Sequence, residues 1–504
     1  MAAYILAIDQ GTSGTKAIIF NRDGGIVAKA TVPLKTSYLE GGLVEQAPLD
    51  IYENVLGAVK NCVDEFVAQG GKPDEIASCG ISNQRETFVI WDENGEPLHN
   101  AIVWQCKRSI DLCKRLSAVY GLEESVRAKT GLILDPYFSG TKLMWLNEHN
   151  PAIREAINDG RAYFGTVDTW LLFKLTNGQQ YLTDHTNASR TLFFNLHTLQ
   201  WDKELLKEFK LENLNLPQIQ SSAAFYGETD FAGILANSIP VNSMIGDSHS
   251  AAFGERCFAP GTAKATLGTG CSVLMNIGSS AKASNYGMMT TICWSIAGRV
   301  DYALEGVIVS CGSTIEWLKN ELGLFTDSKQ TEAMALSVAD NNGVYLVPAF
   351  SGLGAPYWQM DRKAAITGLT FDCNKNHIVR AGLESIAYQI KDVVNAMEED
   401  TSLNLQELMV NGGITSNKFV LQFTADLLNC KITNRGIADV SALGAAYLAG
   451  LQTGIYQNIE ELEQLTFNTV SLERSGNEAM AGYEKWRSVL LGDDAVKKSL
   501  TTTL

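Results

Sequence analysis

Two turns built from glycine and small hydroxyl side chains, far apart in the chain, have the chemistry of a phosphate cradle. The first runs Asp9-Gln10-Gly11-Thr12-Ser13-Gly14-Thr15-Lys16 between apolar runs at 4–8 and 17–20. The second runs Lys264-Ala265-Thr266-Leu267-Gly268-Thr269-Gly270-Cys271-Ser272 and leads into an apolar run at 273–275. Glycine lets backbone N–H groups close on an anion, and Thr and Ser hydroxyls add donors without bulk. Lys16 supplies a point charge at the end of the first turn, and Asp9 at its start can hold a hydrated metal ion. One such hairpin is common between strands. Two, with an acidic residue entering the first, suggest a nucleotide held between two similar domains.

Other residues have types suited to a polar reaction. Asp247 follows an apolar run in a Gly246-Asp247 turn, where a carboxylate can point into a cleft or cap the helix expected at 248–253. Arg85 and Glu86 fall between two expected strands. Side by side they offer donors and acceptors to the hydroxyls of a polyol, or form a solvated loop pair. Trp104 closes an apolar run and Tyr137 carries a hydroxyl with reach; both also read as core aromatics. Gly413 and Asn417 stand where a strand gives way to a helix, a place for a capping asparagine.

The elements that must position these residues alternate. Residues 49–69 carry Ile51, Val55, Ala58, Val59, Cys62 and Phe66 at helical spacing. Strands are expected at 76–82, 86–91, 100–104 and 164–169, with helices at 109–119, 137–146 and 170–175. The rhythm restarts with a strand at 240–247 and a helix at 248–253. Further strands at 264–267, 290–294, 302–304 and 407–411 are interleaved with helices at 312–322, 377–398 and 418–428. Such alternation in both halves is an α/β pattern.

With 504 residues the chain is too long for one core. Two domains are expected, 1–250 with the first hairpin and Asp247, and 251–504 with the second, joined by packed segments rather than a low-complexity linker. A net charge of −16 argues against a nucleic-acid or anionic-membrane partner, without forbidding a nucleotide held by local donors. The ten cysteines form no C-x-x-C pair and sit in apolar surroundings, as reduced cysteines do. Without a signal-peptide core or a spanning apolar stretch, a cytoplasmic location is expected.

The motifs, taken in order, resemble the FGGY carbohydrate kinases, and within them the glycerol kinases. The match rests on Asp9-Gln10-Gly11-Thr12, the run from Asn83 to Thr87, the run from Ala101 to Cys106, and the run from Asp135 to Lys142. It continues through Gly246-Asp247, Gly268-Thr269-Gly270-Cys271, the run from Pro348 to Trp358, and the run from Leu383 to Gln389. The resemblance implies two ribonuclease-H-like domains of the actin and hexokinase type, with ATP and a small polyol or sugar meeting in the cleft. It implies that Asp247 takes the proton of the attacking hydroxyl, that Arg85 and Glu86 bind the polyol, that Trp104 walls its carbon chain, and that the Tyr137 hydroxyl reaches a substrate hydroxyl. Thr12, Ser13, Lys16, Gly268 and Thr269 would then meet the phosphates, Gly312 and Glu316 the ribose side, and Gly413 and Asn417 the adenine side. Asp9 would orient Mg²⁺ through water, with Asp247 nearby, and a homodimer is usual in the family. An ATP-driven binding protein of the actin type is the rival from another class; the Arg85, Glu86 and Trp104 polyol wall argues against it.

The match breaks in three places. Lys16 stands where many glycerol kinases have arginine, which keeps the charge without the bidentate fork. Ser248, followed by His249, stands for a glutamine, and Ser272 for a phenylalanine. Two serines in place of two bulky side chains predict a roomier, hydroxyl-lined pocket, suited to glycerol with ordered water or to a four- or five-carbon polyol or ketose. Compensation by His249 is the alternative.

Overall fold

The apolar runs become the central strands of one large sheet, because residues buried on both faces have nowhere else to satisfy their backbone groups. The structure is a computed structural model, and it describes residues 4–476 and 478–492. The first half supplies β1 (Tyr4–Gly11), β2 (Gly14–Phe20), β3 (Ile26–Pro33), β4 (Ile76–Asn83), β5 (Ala223–Thr229) and β6 (Ile239–Gly246). The second supplies β7 (Thr262–Leu267), β8 (Cys271–Gly278), β9 (Met289–Ile296), β10 (Arg299–Ile308), β11 (Glu407–Asn411), β12 (Lys431–Asn434) and β13 (Val470–Leu472). Their order across the sheet is β13-β12-β11-β7-β8-β10-β9-β5-β6-β4-β1-β2-β3. Each half is a mixed sheet, and the two meet at one narrow pairing, Ala223 opposite Ile296.

Register decides where the chemistry emerges. β1, β4 and β6 are parallel neighbours, with Asp9 opposite Ser82 and Asn83 opposite Gly246. The turns that follow them, carrying Thr12, Arg85 and Asp247, therefore leave the sheet side by side, at the carboxyl ends where α/β sheets bind ligands. In the second half β7 runs parallel to β11, with Thr266 opposite Asn411, so the Gly268 hairpin lies beside the Gly412-Gly413 turn. Gly412 takes φ +98 and packs directly on the backbone of Leu267, which leaves no room for a side chain.

Helices cover both faces. α1 (Pro48–Ala68) buries Ile51, Val55, Ala58, Val59, Cys62 and Phe66, the stripe expected from its spacing. Each buried Ile, Val or Phe of the stripe contributes roughly 1.5–3 kcal/mol, and Ala58 less. α2 (Asp247–Gly254) follows β6 directly, and α3 (Val440–Thr453), rich in Ala and Gly, seats on β1, β4 and β6 although it comes late in the chain. The helix and strand over 418–428 and 407–411 fall where expected.

The strand expected at 164–169 ends at Thr166, because the helix Val167–Leu175 starts there, and three other elements are shorter for a local reason. The strand expected at 86–91 begins at Phe88, because Glu86 has φ +59 and Thr87 N–H donates to the Arg85 carbonyl at 2.7 Å. That tight turn pushes Arg85 and Glu86 out of the sheet. The helix expected from 137 begins at Ser139; Tyr137 sits before it, its N–H held by the Asp135 carboxylate at 2.8 Å. The strand expected at 100–104 shrinks to Ala101–Ile102, an internal strand of a small five-stranded sheet.

Candidate active site

A ladder of alternating charges joins the turns at the carboxyl ends of β4 and β6 to β10. Glu86 Oε1 accepts from Arg190 Nε at 2.6 Å, and Arg190 Nη1 lies 2.9 Å from Glu305 Oε2. Glu305 in turn accepts from both terminal nitrogens of Arg85, at 2.7 and 3.2 Å, and Arg85 Nε lies 3.2 Å from Asp247 Oδ1. Four of the five are buried, whereas the Asp247 side chain is 42% exposed. Burial alone would raise the Glu305 carboxyl, but the guanidinium groups of Arg190 and Arg85 hold it well below the usual carboxylate range. Glu86 ends up raised, because its burial outweighs the same two cations. One carboxylate is thus presented to solvent by a buried, charged scaffold.

The polar segment 183–191 fixes that scaffold. Asp184 accepts from the Thr186 and Asn187 amides, and all of the segment but His185 is buried. Thr186 Oγ1 then accepts from Gly246 N–H at 2.9 Å, and Asn187 pairs with Asn83 at 2.9 and 3.0 Å. The two strand ends that launch Arg85 and Asp247 are clamped to one turn. The capping reading of Asp247 does not hold: Gly246 is the N-cap, Asp247 is the first helical residue, and the only backbone amide its carboxylate accepts from is that of the adjacent Ser248, at 2.6 Å, which leaves it facing outward.

Aromatic walls stand over the ladder. Trp104 and Tyr137 meet edge to face at 5.6 Å, and the Arg190 guanidinium lies 5.9 Å from the Tyr137 ring. Trp104 Nε1 donates to Thr12 Oγ1 at 2.9 Å. Buried Lys142 donates to the Tyr137 and Trp104 carbonyls at 2.8 and 3.3 Å, and burial lowers its ammonium to about 8.

Next to the ladder, Asp9 accepts from Ser82 at 3.1 Å and lies 4.0 Å from Lys16. Burial first, and the charge of Asp247 second, push the Asp9 carboxyl up to about 6, against the pull of Lys16. Lys16 is held at 3.0 Å by Asp439 at the start of α3. Thr12 is half-buried with its hydroxyl on Gln84 and Trp104, and Ser13 is exposed. In the second half Gly312 N–H donates to the Gly268 carbonyl at 2.9 Å, so the helix Gly312–Asn320 starts against the hairpin. Ser313 N–H likewise donates to the Thr269 carbonyl at 3.1 Å. Glu316 is exposed and paired with Lys319 and Ser328. Gly413 is exposed, and Asn417 caps its helix through Val420 N–H at 3.1 Å while its amide reaches Thr331.

The two serines of the altered positions meet. Ser248 Oγ and Ser272 Oγ are 3.2 Å apart, and Lys264 Nζ lies 2.9 Å from the first and 3.5 Å from the second. His249 is fully buried with Nε2 on Thr291, so it does not take the place of the missing bulk.

Family models agree with this architecture. Residues 4–254 match the N-terminal domain of the FGGY family of carbohydrate kinases, and residues 263–453 match its C-terminal domain. The chain belongs to the FGGY family. A glycerol kinase of Thermoanaerobacter pseudethanolicus is 47% identical over 465 residues, covering 92% of this chain and 93% of the relative. One from Shewanella amazonensis is 46% identical over 501 residues, 99% of both. The crystal structure of Plasmodium falciparum glycerol kinase with ADP superposes with a TM-score of 0.90 at 35% identity, over 97% of this chain and 98% of that one. The fold is therefore the two-domain, actin- and hexokinase-like α/β fold, and the protein is an ATP-dependent phosphotransferase acting on an alcohol group. Among the described residues no helix is long and apolar enough to cross a membrane.

This FGGY site contains residues that sequence reasoning missed. Arg190, Glu305 and Lys264 are all 0% exposed. Two signals were present, Lys264 between two alanines and Glu305 inside an apolar strand, whereas Arg190 lies in a polar run whose burial only the structure shows.

Proposed function

We propose that this enzyme transfers the γ-phosphoryl of ATP to a terminal hydroxyl of a small polyol, with glycerol as the best single acceptor. The observation that carries the mechanism is the one exposed carboxylate, Asp247, at the end of a buried charge ladder. Asp247 accepts the proton of the attacking hydroxyl as the O–P bond forms, and ADP leaves. Arg85 and Glu86 orient the acceptor hydroxyls, while Trp104 and Tyr137 exclude water from its carbon chain. Thr12, Ser13, Lys16, Gly268 and Thr269 meet the phosphates from two sides; Gly312 and Glu316 flank the ribose, and Gly413 and Asn417 the adenine. The relatives named above, which are glycerol kinases, support glycerol.

Mg²⁺ fits the residues present. The Asp9 carboxyl is raised first by burial and also by Asp247, so Asp9 and Asp247 are the residues that would hold a divalent cation, which would relieve their repulsion. When bound, the ion would neutralise charge on the transferring phosphoryl.

A second reading is favoured by the Ser248 and Ser272 hydroxyls, which offer polar contacts to a four- or five-carbon polyol or ketose. ADP release with ATP and Mg²⁺ should be negligible alone and rise steeply with glycerol. If no triose polyol, tetritol, pentitol or ketose stimulates it, the kinase reading of this cleft is wrong.

A further inference from the structure

Lys142 is a buried cation beside the aromatic wall to which the reaction gives no task. Its side chain is fully buried, and among the described residues it forms no ion pair. The ammonium spends its protons on two main-chain carbonyls instead, Tyr137 at 2.8 Å and Trp104 at 3.3 Å. These belong to the two aromatic residues assigned to the acceptor. A neutral donor could serve two carbonyls without the cost of burying a charge. The charge adds strength, because a charge-assisted hydrogen bond is roughly twice as strong as a neutral one.

Trp104 and Tyr137 need that strength, since neither stands in regular structure. Trp104 lies beyond the two-residue strand Ala101–Ile102, and Tyr137 lies before the helix Ser139–His149, whose first turn carries Lys142. Each amide is held by a side chain. Trp104 N–H donates to Thr87 Oγ1 at 3.1 Å, and Tyr137 N–H donates to Asp135 Oδ1 at 2.8 Å. The carbonyls of the two segments come together at the Lys142 ammonium, directly behind rings that meet edge to face at 5.6 Å.

We propose that Lys142 is a positioning residue for acceptor binding: its ammonium draws the Trp104 and Tyr137 carbonyls to one point and so fixes the angle between their rings. The proposal rests on the polyol kinase reading and deepens it. The groups facing the ammonium come from every segment around it. Glu86 comes from the turn after β4, Cys106 and Arg108 from the loop after Trp104, Asp135 from the turn before Tyr137, and Cys113 from the helix Ile110–Ser117. Burial, seconded by Arg108, outweighs Glu86 and Asp135 and brings the ammonium down to about 8. The charge is therefore present at neutral pH and is lost as pH rises through about 8, which loosens the wall.

The test reads ADP release against glycerol, ATP and pH. Lys142→Met should raise the KM for glycerol by about tenfold, with kcat and the KM for ATP little changed, as loss of ground-state binding requires. In a Trp104→Ala, Tyr137→Ala background the same substitution should change that KM by less than about twofold, because no rings remain to be aimed. Wild-type kcat/KM for glycerol should fall above about pH 8, and Lys142→Arg, which keeps its charge, should abolish that limb. A loss that multiplies in the background without the rings, or an equal rise in both KM values, overturns the proposal. If Lys142→Met does not fold, Lys142→Arg decides: a basic limb left at its wild-type position overturns it. Absence of turnover by the wild type with glycerol and longer polyols would instead overturn the kinase reading itself.

Discussion

Removing the Arg190 guanidinium tests whether the buried ladder positions the substrate site. In Arg190→Met, Glu305 keeps both Arg85 contacts, at 2.7 and 3.2 Å, and is not orphaned. Glu86 has no such reserve: its side chain is 1% exposed with Arg190 as its hydrogen-bonding partner at 2.6 Å. Leaving a buried carboxylate unpaired costs roughly 3–5 kcal/mol, and proton uptake by an already raised Glu86 holds the loss to the lower end, about 3 kcal/mol. A protonated Glu86 offers the acceptor a donor where it had offered an acceptor. Losing one substrate hydrogen bond to a charged group costs about 1.5–3 kcal/mol, so at about 1.4 kcal/mol per tenfold kcat/KM for the polyol should fall by roughly ten- to a hundredfold, with KM for ATP little changed. Melting should drop by only about 3 °C in a chain of this size. Arg190→Lys, a point charge able to serve one carboxylate at a time, should recover part of the loss. Coupled ADP assays on both variants, alongside thermal melts, give the comparison. An Arg190→Met enzyme with wild-type kcat/KM, or one that loses activity only in proportion to its folded fraction, would refute the positioning argument.

Asp247→Asn keeps the shape of the open carboxylate but cannot take a proton, so turnover should fall by about two or more orders of magnitude while nucleotide binding, followed by calorimetry, persists. The Asp9 carboxyl near 6 predicts that kcat/KM for ATP rises between about pH 5 and 7, and that added Mg²⁺ moves this limb to lower pH; a flat profile would exclude Asp9 from the metal site. The stability signs are opposite for two acids. Asp9, raised on folding, contributes stability below its unfolded value that is lost as pH rises through about 6, whereas depressed Glu305 contributes stability at neutral pH that is lost on acidification. Ser248→Gln with Ser272→Phe should displace the hydroxyl cluster and lower activity on four- and five-carbon polyols relative to glycerol; an unchanged acceptor profile would mean that these positions do not set chain length.

Much of the frame was legible because its signals are local. Apolar runs broken by Gly and Thr marked both hairpins, and the helical stripe from Ile51 to Phe66 is buried as its spacing requires. The order of the motifs placed Asp247, Arg85 and Glu86 in one cleft, and parallel register of β1, β4 and β6 is what brings them there. The ladder was not legible in the same way. Arg190 and Glu305 are 115 residues apart, and their pairing depends on how β10 crosses from the second half of the sheet. The serine pair was read as empty space because a sequence shows what is missing at a position and not what reaches it from elsewhere. Lys264 reaches Ser248 across 16 residues and two elements.

The ladder also bears on how the two halves communicate. Glu86, Arg190, Arg85 and Asp247 come from the first half of the chain; the carboxylate between the two arginines, Glu305, comes from β10 in the second. β10 pairs with β8, which begins at the second phosphate hairpin, so Glu305 and the hairpin belong to one rigid strand pair. A rotation of one half against the other that changed the Glu305 contacts would disturb Arg85, and with it the orientation of Asp247. The sheets of the two halves pair only at Ala223 and Ile296, but α3 from the second half seats on β1, β4 and β6, and Lys16 on β2 and Lys29 on β3 are tied to Asp439 at 3.0 and 2.6 Å. Arranged in this way, Glu305 links the strand pair of the second hairpin to Arg85 and Arg190 of the first half, so a change in the Glu305 contacts would reach Asp247 through Arg85.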